Sequence, residues 1–214
     1  MKRMRVAVMV SGGGSNLQQL LDRFPMREGS TASAEICLVV ADREWIGALD
    51  RAARASAPSA VVPPRDFDSP GSFGDRLLEL FDEHKVELIV LAGYLKMIPR
   101  NVVSAYSNRM VNIHPALLPS FGGQGMFGHH VHQAVLESGV KLSGPTVHFV
   151  NEQYDRGPII AQRAVPVYHT DTVETLAAWV LDEEHRILPL VVDLIARGKV
   201  SLRGNIVEVE NGET

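Results

Sequence analysis

The sequence predicts an α/β fold: a single doubly wound, mostly parallel sheet with helices on both faces and antiparallel additions in the C-terminal half. Three features predict it. Short apolar runs alternate with segments of helical spacing as far as residue 114, and a Gly-rich turn follows the first of those runs. Beyond 114 the pattern changes to shorter strand-like runs and one long helical segment.

Parallel strands are covered on both faces, so they read as continuous Val, Ile and Leu rather than as alternation. Residues 6–10, 35–41, 60–63, 87–92 and 109–114 read this way. Between them, 16–24, 44–56, 73–84 and 99–106 carry apolar residues at helical spacing. A Gly- and Pro-containing loop then runs to about residue 128, and a loop that long is usually functional. A short helix is expected at 130–138, strands at 143–150 and 159–167, and a long helix at 173–197. A hairpin is expected over 199–209, turning at Gly204-Asn205. No repeat or linker interrupts the chain, so one domain is expected over 1–214, with internal divisions near 114 and 200.

With 214 residues, 45% of them apolar, the chain can bury roughly 70% of its unfolded surface without a metal or disulfide staple. Lys+Arg number 21 against Asp+Glu 25, a net charge of −4, so no basic field draws it to nucleic acid or an anionic membrane. Cys37 is the single cysteine, which excludes an intrachain disulfide and favours a reducing cytoplasm. The basic N-terminus precedes an apolar run of only residues 6–10, too short for a signal peptide. No segment approaches the ~18 apolar residues of a membrane span. A soluble cytoplasmic protein is expected, and a homodimer is compatible with the sequence.

Ser11-Gly12-Gly13-Gly14-Ser15-Asn16 lies between the first strand and the first helix. There, glycines let backbone N–H groups converge, and the helix N-terminus adds partial positive charge. Ser15 or Asn16 is the expected N-cap. A Walker A loop needs Gly-Lys-Ser/Thr, and the chain has Asn16-Leu17. A dinucleotide fingerprint needs a third glycine where Leu17 stands, although Asp42 keeps that reading open. A site for a single phosphate fits best, and a tight turn without ligand is the plain alternative.

Asn112-Ile113-His114-Pro115 closes the fifth strand. Alternation puts Met110, Asn112 and His114 on one face, and Pro115 stops the ladder. An amide and an imidazole then stand together at the carboxyl edge of the sheet, where open α/β sheets bind ligands. Two such donors can hold an oxygen that becomes negative while a carbonyl is attacked. The plain alternative is a histidine satisfied by backbone carbonyls.

The run NIHPALLPSF at 112–121 resembles the signature of the folate-dependent formyltransferases. Four further segments fit the same family in order: SGGGSNLQQLL, LAGYLKMIP, SGPTVHFVNEQYDRGPII and DEEH. The resemblance covers roughly residues 5–200. It implies transfer of a formyl group from 10-formyltetrahydrofolate, the co-substrate, to the amine of glycinamide ribonucleotide, a step of purine biosynthesis. It also implies a phosphate-binding half at 1–114, a folate-binding and catalytic half at 115–200, and a tail.

Residue by residue, the resemblance gives His114 and Asn112 the oxyanion, and Asp155 the tasks of raising the His114 pKa and relaying a proton. It gives Gly14, Ser15 and Asn16 the phosphate and Glu184 the glycinamide or ribose. Leu95, Lys96, Met97 and Ile98 form one folate wall, and Asn151, Glu152, Gln153, Tyr154 and Asp155 another. Thr146 and His148, which share a strand face, order a water. No metal is implied. Three departures stand out. Pro70 and Lys96 occupy positions where arginine is common near the folate tail, and Lys meets a carboxylate without Arg's bidentate fork. The stretch at 122–130 is about five residues longer than usual, and its His129 and His130, with His132, lack the carboxylate or cysteine of a metal site. The alternative reading is a formyltransferase with another acceptor, or a formyltetrahydrofolate hydrolase.

Overall fold

The computed structural model describes residues 2–27 and 29–210. A seven-stranded sheet runs in the order β3 (Ser59–Val61), β2 (Ala34–Ala41), β1 (Met4–Val10), β4 (Leu88–Leu91), β5 (Met110–His114), β7 (Thr146–Phe149), β8 (Ile159–Gln162). Two further two-stranded sheets pair β6 (Leu142–Ser143) with β9 (Val165–Pro166) and β10 (Val200–Arg203) with β11 (Ile206–Val209). The chain divides into two compact units, 1–111 and 112–214.

In the first unit β1 (Met4–Val10) pairs in parallel with β2 (Ala34–Ala41) and with β4 (Leu88–Leu91), and β2 pairs in parallel with β3 (Ser59–Val61). Every residue of β2 is buried, as is 6–10 of β1, which is why these strands read as unbroken apolar runs. At the entry edge Arg3 and Arg5 both pair with the buried Glu35 carboxylate, and Arg5 Nε donates to the His84 carbonyl at 2.8 Å.

Local chemistry moves three helix starts away from the sequence expectation. Helix α1 (Ser15–Arg23) is capped by Gly14 in the left-handed region (φ 76°) with no side-chain cap, so neither Ser15 nor Asn16 is the N-cap. Helix α2 (Gly47–Arg54) starts three residues late because Trp45 is left-handed (φ 59°) and Ile46 extended. Helix α3 (Pro70–Glu83) starts three early because Ser69 forms a capping box with Ser72 and Pro70 supplies the preset φ of the first turn. Position 70 thus serves the helix start. Helix α4 (Arg100–Ala105) leads to β5 (Met110–His114), the last parallel element expected from the sequence.

The second unit contains α5 (His129–Ser138), β6 (Leu142–Ser143), β7 (Thr146–Phe149), β8 (Ile159–Gln162), β9 (Val165–Pro166) and α6 (Val173–Ala196). The hairpin β10 (Val200–Arg203) and β11 (Ile206–Val209) follows. The two strands expected at 143–150 and 159–167 are each broken in two. Gly144 (φ 138°) lies so close to the facing chain that a Cβ there would sit 1.8 Å from the Arg163 carbonyl oxygen, and the strand gives way at that contact. β7 and β8 are antiparallel, as are β6 and β9. Val135, Val165, Leu176 and Val180 bury their side chains together, with Phe121 and Leu136 packed against them. A capping box of Thr172 and Thr175 starts α6. No helix among the described residues is long and apolar enough to cross a membrane.

Gly157 anchors the turn between β7 and β8: a Cβ there would lie 1.7 Å from the Phe149 carbonyl oxygen. Gly157→Ala forces the backbone to shift to relieve that overlap and is expected to cost roughly 1–3 kcal/mol, as overpacking does, read as a lowered midpoint of denaturant unfolding. An unchanged midpoint would show that the turn has room to give.

Candidate active site

In the second unit, three side chains from two strands converge on one carboxylate. Asp155 lies in the turn after β7 with φ 51°, a left-handed conformation uncommon outside glycine and more tolerable for Asp than for most residues. Its Oδ2 accepts from the Gly123 N–H at 2.9 Å and stands 3.5 Å from His114 Nδ1. Its Oδ1 stands 3.6 Å from His148 Nε2 and 3.5 Å from Asn112 Nδ2. Asn112 Nδ2 also lies 3.2 Å from His148 Nε2. Both histidines are almost fully buried. Asn112 and His114, two residues apart on β5, thus reach Asp155 together, and His148 joins them from β7, where the pairing is irregular between Val147 and His148.

Hydrogen bonds fix where the protons sit. A carbonyl can only accept, so His114 Nε2, 2.9 Å from the Phe121 carbonyl, carries a proton, and so does His148 Nδ1, 2.8 Å from the Phe149 carbonyl. His114 therefore turns Nδ1 toward the carboxylate, and a proton there makes the ring cationic with an acceptor at each nitrogen. Burial pushes the His114 pKa down, while Asp155 and the Phe121 carbonyl push it up, and the net direction is below the ordinary histidine value. The expected elevation by Asp155 is present but outweighed by burial. For Asp155, burial pushes the carboxyl up. The His148 hydrogen bond, the His114 charge and the Gly123 N–H together outweigh that and hold it below the usual range.

Thr146 differs from its expected water-ordering place. Its hydroxyl donates to the Ala116 carbonyl at 2.7 Å and accepts from Leu118 N–H at 3.0 Å and Gln162 Nε2 at 2.9 Å. A hydroxyl has one proton and two acceptor positions, so none is left for a water. The Phe121 carbonyl, the Gly123 N–H and Gln162 carry no sequence signal, the first two because they are backbone groups.

In the first unit the glycine loop is held by its carbonyls. Gly12 O accepts from Ala48 N–H at 3.2 Å, Gly13 O from Arg51 Nε at 2.9 Å, and Gly14 O from Gln18 N–H at 2.9 Å. In a planar trans peptide the next N–H points opposite to the carbonyl, so the N–H groups of Gly13, Gly14 and Ser15 face away from those partners. They precede and open α1, where the helix N-terminus adds partial positive charge. Gly14 has to be glycine: a Cβ would lie 2.7 Å from that of Ala48. Asn16 is buried at the base of the loop. The Asp42 carboxylate is enclosed and gripped by Arg43 at 2.9 and 2.8 Å, which leaves it no reach to a ribose and removes the dinucleotide reading.

Leu95, Lys96 and Met97 are exposed on the segment after β4, where Leu95 N–H donates to Ser11 Oγ at 2.9 Å, whereas the Ile98 side chain is buried in the core. In the other expected folate wall, Asn151 Oδ1 accepts from Gln153 N–H at 2.9 Å and shapes a turn that leaves 151–154 exposed. Glu184 is buried on α6.

Across residues 4–192 the sequence matches the family described as formyl transferase. The chain belongs to the formyl transferase family. Similar members include the chloroplastic phosphoribosylglycinamide formyltransferase of Arabidopsis thaliana, 43% identical over 203 residues, 94% of this chain and 68% of that protein. The trifunctional purine biosynthetic protein adenosine-3 of Bos taurus is 40% identical over 204 residues, 95% of this chain but 19% of that much longer protein. Among solved structures, glycinamide ribonucleotide transformylase 1 from Symbiobacterium toebii superposes with a TM-score of 0.87 at 38% identity, covering 97% of this chain and 94% of that one. Formyl transferases of this family use 10-formyltetrahydrofolate as co-substrate.

The histidines of the extended stretch do not cluster in this formyl transferase. His129 and His130 are exposed, Phe127 sets its ring edge-on to His130, and His132 is buried. Among the described residues no group of three or more His, Cys, Asp or Glu is arranged to hold a metal ion. Burial, with the charges of His129 and His114, pushes the His132 pKa from 6.5 to about 4. The unfolded chain therefore takes up the proton first as pH falls. The stability contributed by neutral His132 is fully present above pH 6.5 and is lost toward pH 4. Thermal unfolding at pH 7 and pH 5 should show a smaller acid-induced drop for His132→Leu than for the unsubstituted protein; equal drops would contradict this assignment.

Proposed function

We propose that the chain is a single formyltransferase domain that moves a formyl group from 10-formyltetrahydrofolate to the amine of glycinamide ribonucleotide. The convergence of Asn112, His114 and His148 on Asp155 carries this reading. The glycine loop that opens α1 supports a phosphorylated acceptor. The net charge of −4 and single cysteine support work in the cytoplasm on two small molecules, with neither nucleic acid nor membrane as partner.

The folate supplies an activated one-carbon unit whose carbonyl carbon accepts the amine. An α-amino group with a pKa of about 7.7–8.0 is partly neutral at pH 7 and needs no strong base to attack. As the C–N bond forms, the carbonyl electron pair moves onto oxygen, where His114 and Asn112 donate. His114 reaches that oxygen with Nε2 once the Phe121 carbonyl gives way, while Asp155 balances the ring's charge through Nδ1. Asp155 then passes the amine's proton toward the departing folate nitrogen, through a water. Gly14, Ser15 and Asn16 hold the phosphate and Glu184 the glycinamide or ribose. The segments 95–98 and 151–155 enclose the pterin. His148 turns Nε2 toward the far oxygen of Asp155; with the Thr146 hydroxyl taken up by Ala116, Leu118 and Gln162, a water on that side is held by His148 without Thr146.

Two measurements test this. Tetrahydrofolate release followed spectroscopically should require glycinamide ribonucleotide; equal release without it would assign a hydrolase. Asp155→Asn removes the upward push on His114, so the pH above which kcat falls as His114 deprotonates moves lower, and kcat drops about 10²–10⁴-fold. An unaltered profile would remove the His114–Asp155 pair from the chemistry.

A further inference from the structure

Gln162 ends β8, is itself exposed, and has no place in the chemistry above. Its Nε2 nevertheless spends both protons on groups next to the site: one on the Leu118 carbonyl and one on Thr146 Oγ1, each at 2.9 Å. Thr146 is fully buried and carries the grip further, to the Ala116 carbonyl and the Leu118 N–H. Two side chains on neighbouring antiparallel strands thus hold three polar groups of the 116–118 backbone.

That segment has His114 two residues before it. Three to five residues after it come the Phe121 carbonyl on His114 Nε2 and the Gly123 N–H on Asp155 Oδ2. The space there is already filled: a Cβ on Gly122 would lie 2.5 Å from the Leu118 side chain and 3.0 Å from Asp155 Cβ. A shift of Leu118 is therefore passed to both members of the reacting pair.

We propose that Gln162, acting through Thr146 and the 116–118 backbone, is a positioning residue for His114 and Asp155. This rests on the reading of those two as the reacting pair. Because Gln162 is exposed and at a strand end, its own substitution leaves the core intact, and the effect falls on alignment, where small displacements matter most.

Gln162→Met keeps the length and removes both donors. Its kcat is expected to fall about five- to tenfold, with KM for glycinamide ribonucleotide within twofold and the melting temperature within a few degrees. Thr146→Ser, which keeps the hydroxyl, should retain the unsubstituted kcat. Thr146→Val should lose about tenfold, and adding Gln162→Met to it should cost little more, since both act through one segment. A Gln162→Met kcat within twofold of the unsubstituted enzyme, with His114→Ala inactive, would overturn the proposal. Turnover surviving in His114→Ala would instead overturn the catalytic reading. Should Thr146→Val fail to fold, Gln162→Met alone decides.

Discussion

A carboxylate largely withdrawn from water is costly unless polar groups meet it, and at Asp155 that demand draws together the strand ends and the long loop of the second unit. Left alone in an apolar surround, the group would take up a proton. Here two N–H groups donate to it, Gly123 N–H to Oδ2 and Asn112 Nδ2 to Oδ1, while each histidine turns its second ring nitrogen toward it, His114 Nδ1 and His148 Nε2, where an added proton would pair with the charge. These four nitrogens come from three stretches of chain: β5 supplies two of them, β7 one and the long loop one, all meeting the left-handed turn at 155.

The histidine pays for that enclosure. His114 gains a counter-charge and a carbonyl acceptor, yet burial outweighs both and holds its pKa below the ordinary value. An imidazole so poised gives up its proton readily, which suits a group that donates to an oxygen only while that oxygen is charged. His148 differs in that its Nδ1 is tied to its own neighbour's carbonyl, which aims Nε2 at the carboxylate. The two rings are therefore held by backbone on one side and share Asp155 on the other.

Much of the architecture is legible in the amino-acid sequence. Continuous apolar runs located the parallel strands, and the break at Pro115 located the end of β5. What stayed hidden was set by contacts across the chain. Gly144 splits a strand because the Arg163 carbonyl lies against it, and Trp45 delays α2 through a backbone conformation that side-chain periodicity does not encode. In the site, period two sets Asn112 and His114 on one face of β5, whereas an irregularity in the pairing of β7 between Val147 and His148 lies outside what period two can read, and Asp155 comes only from the family resemblance. Neither distinguishes Thr146, whose hydroxyl is consumed by two backbone groups and the Gln162 side chain, from His148, whose ring reaches the carboxylate. Ile98 belongs to an exposed segment yet turns inward, a matter of packing.

The account turns on which nitrogen of His114 keeps its proton when the ring is neutral. Nitrogen-15 NMR of the ring, titrated across the histidine range, reads this directly. The expected result is an Nε2-protonated neutral form, held by the Phe121 carbonyl, with Nδ1 gaining its proton toward Asp155 only below the ordinary histidine pKa. A neutral ring protonated at Nδ1, or a pKa above the ordinary value, would contradict the account.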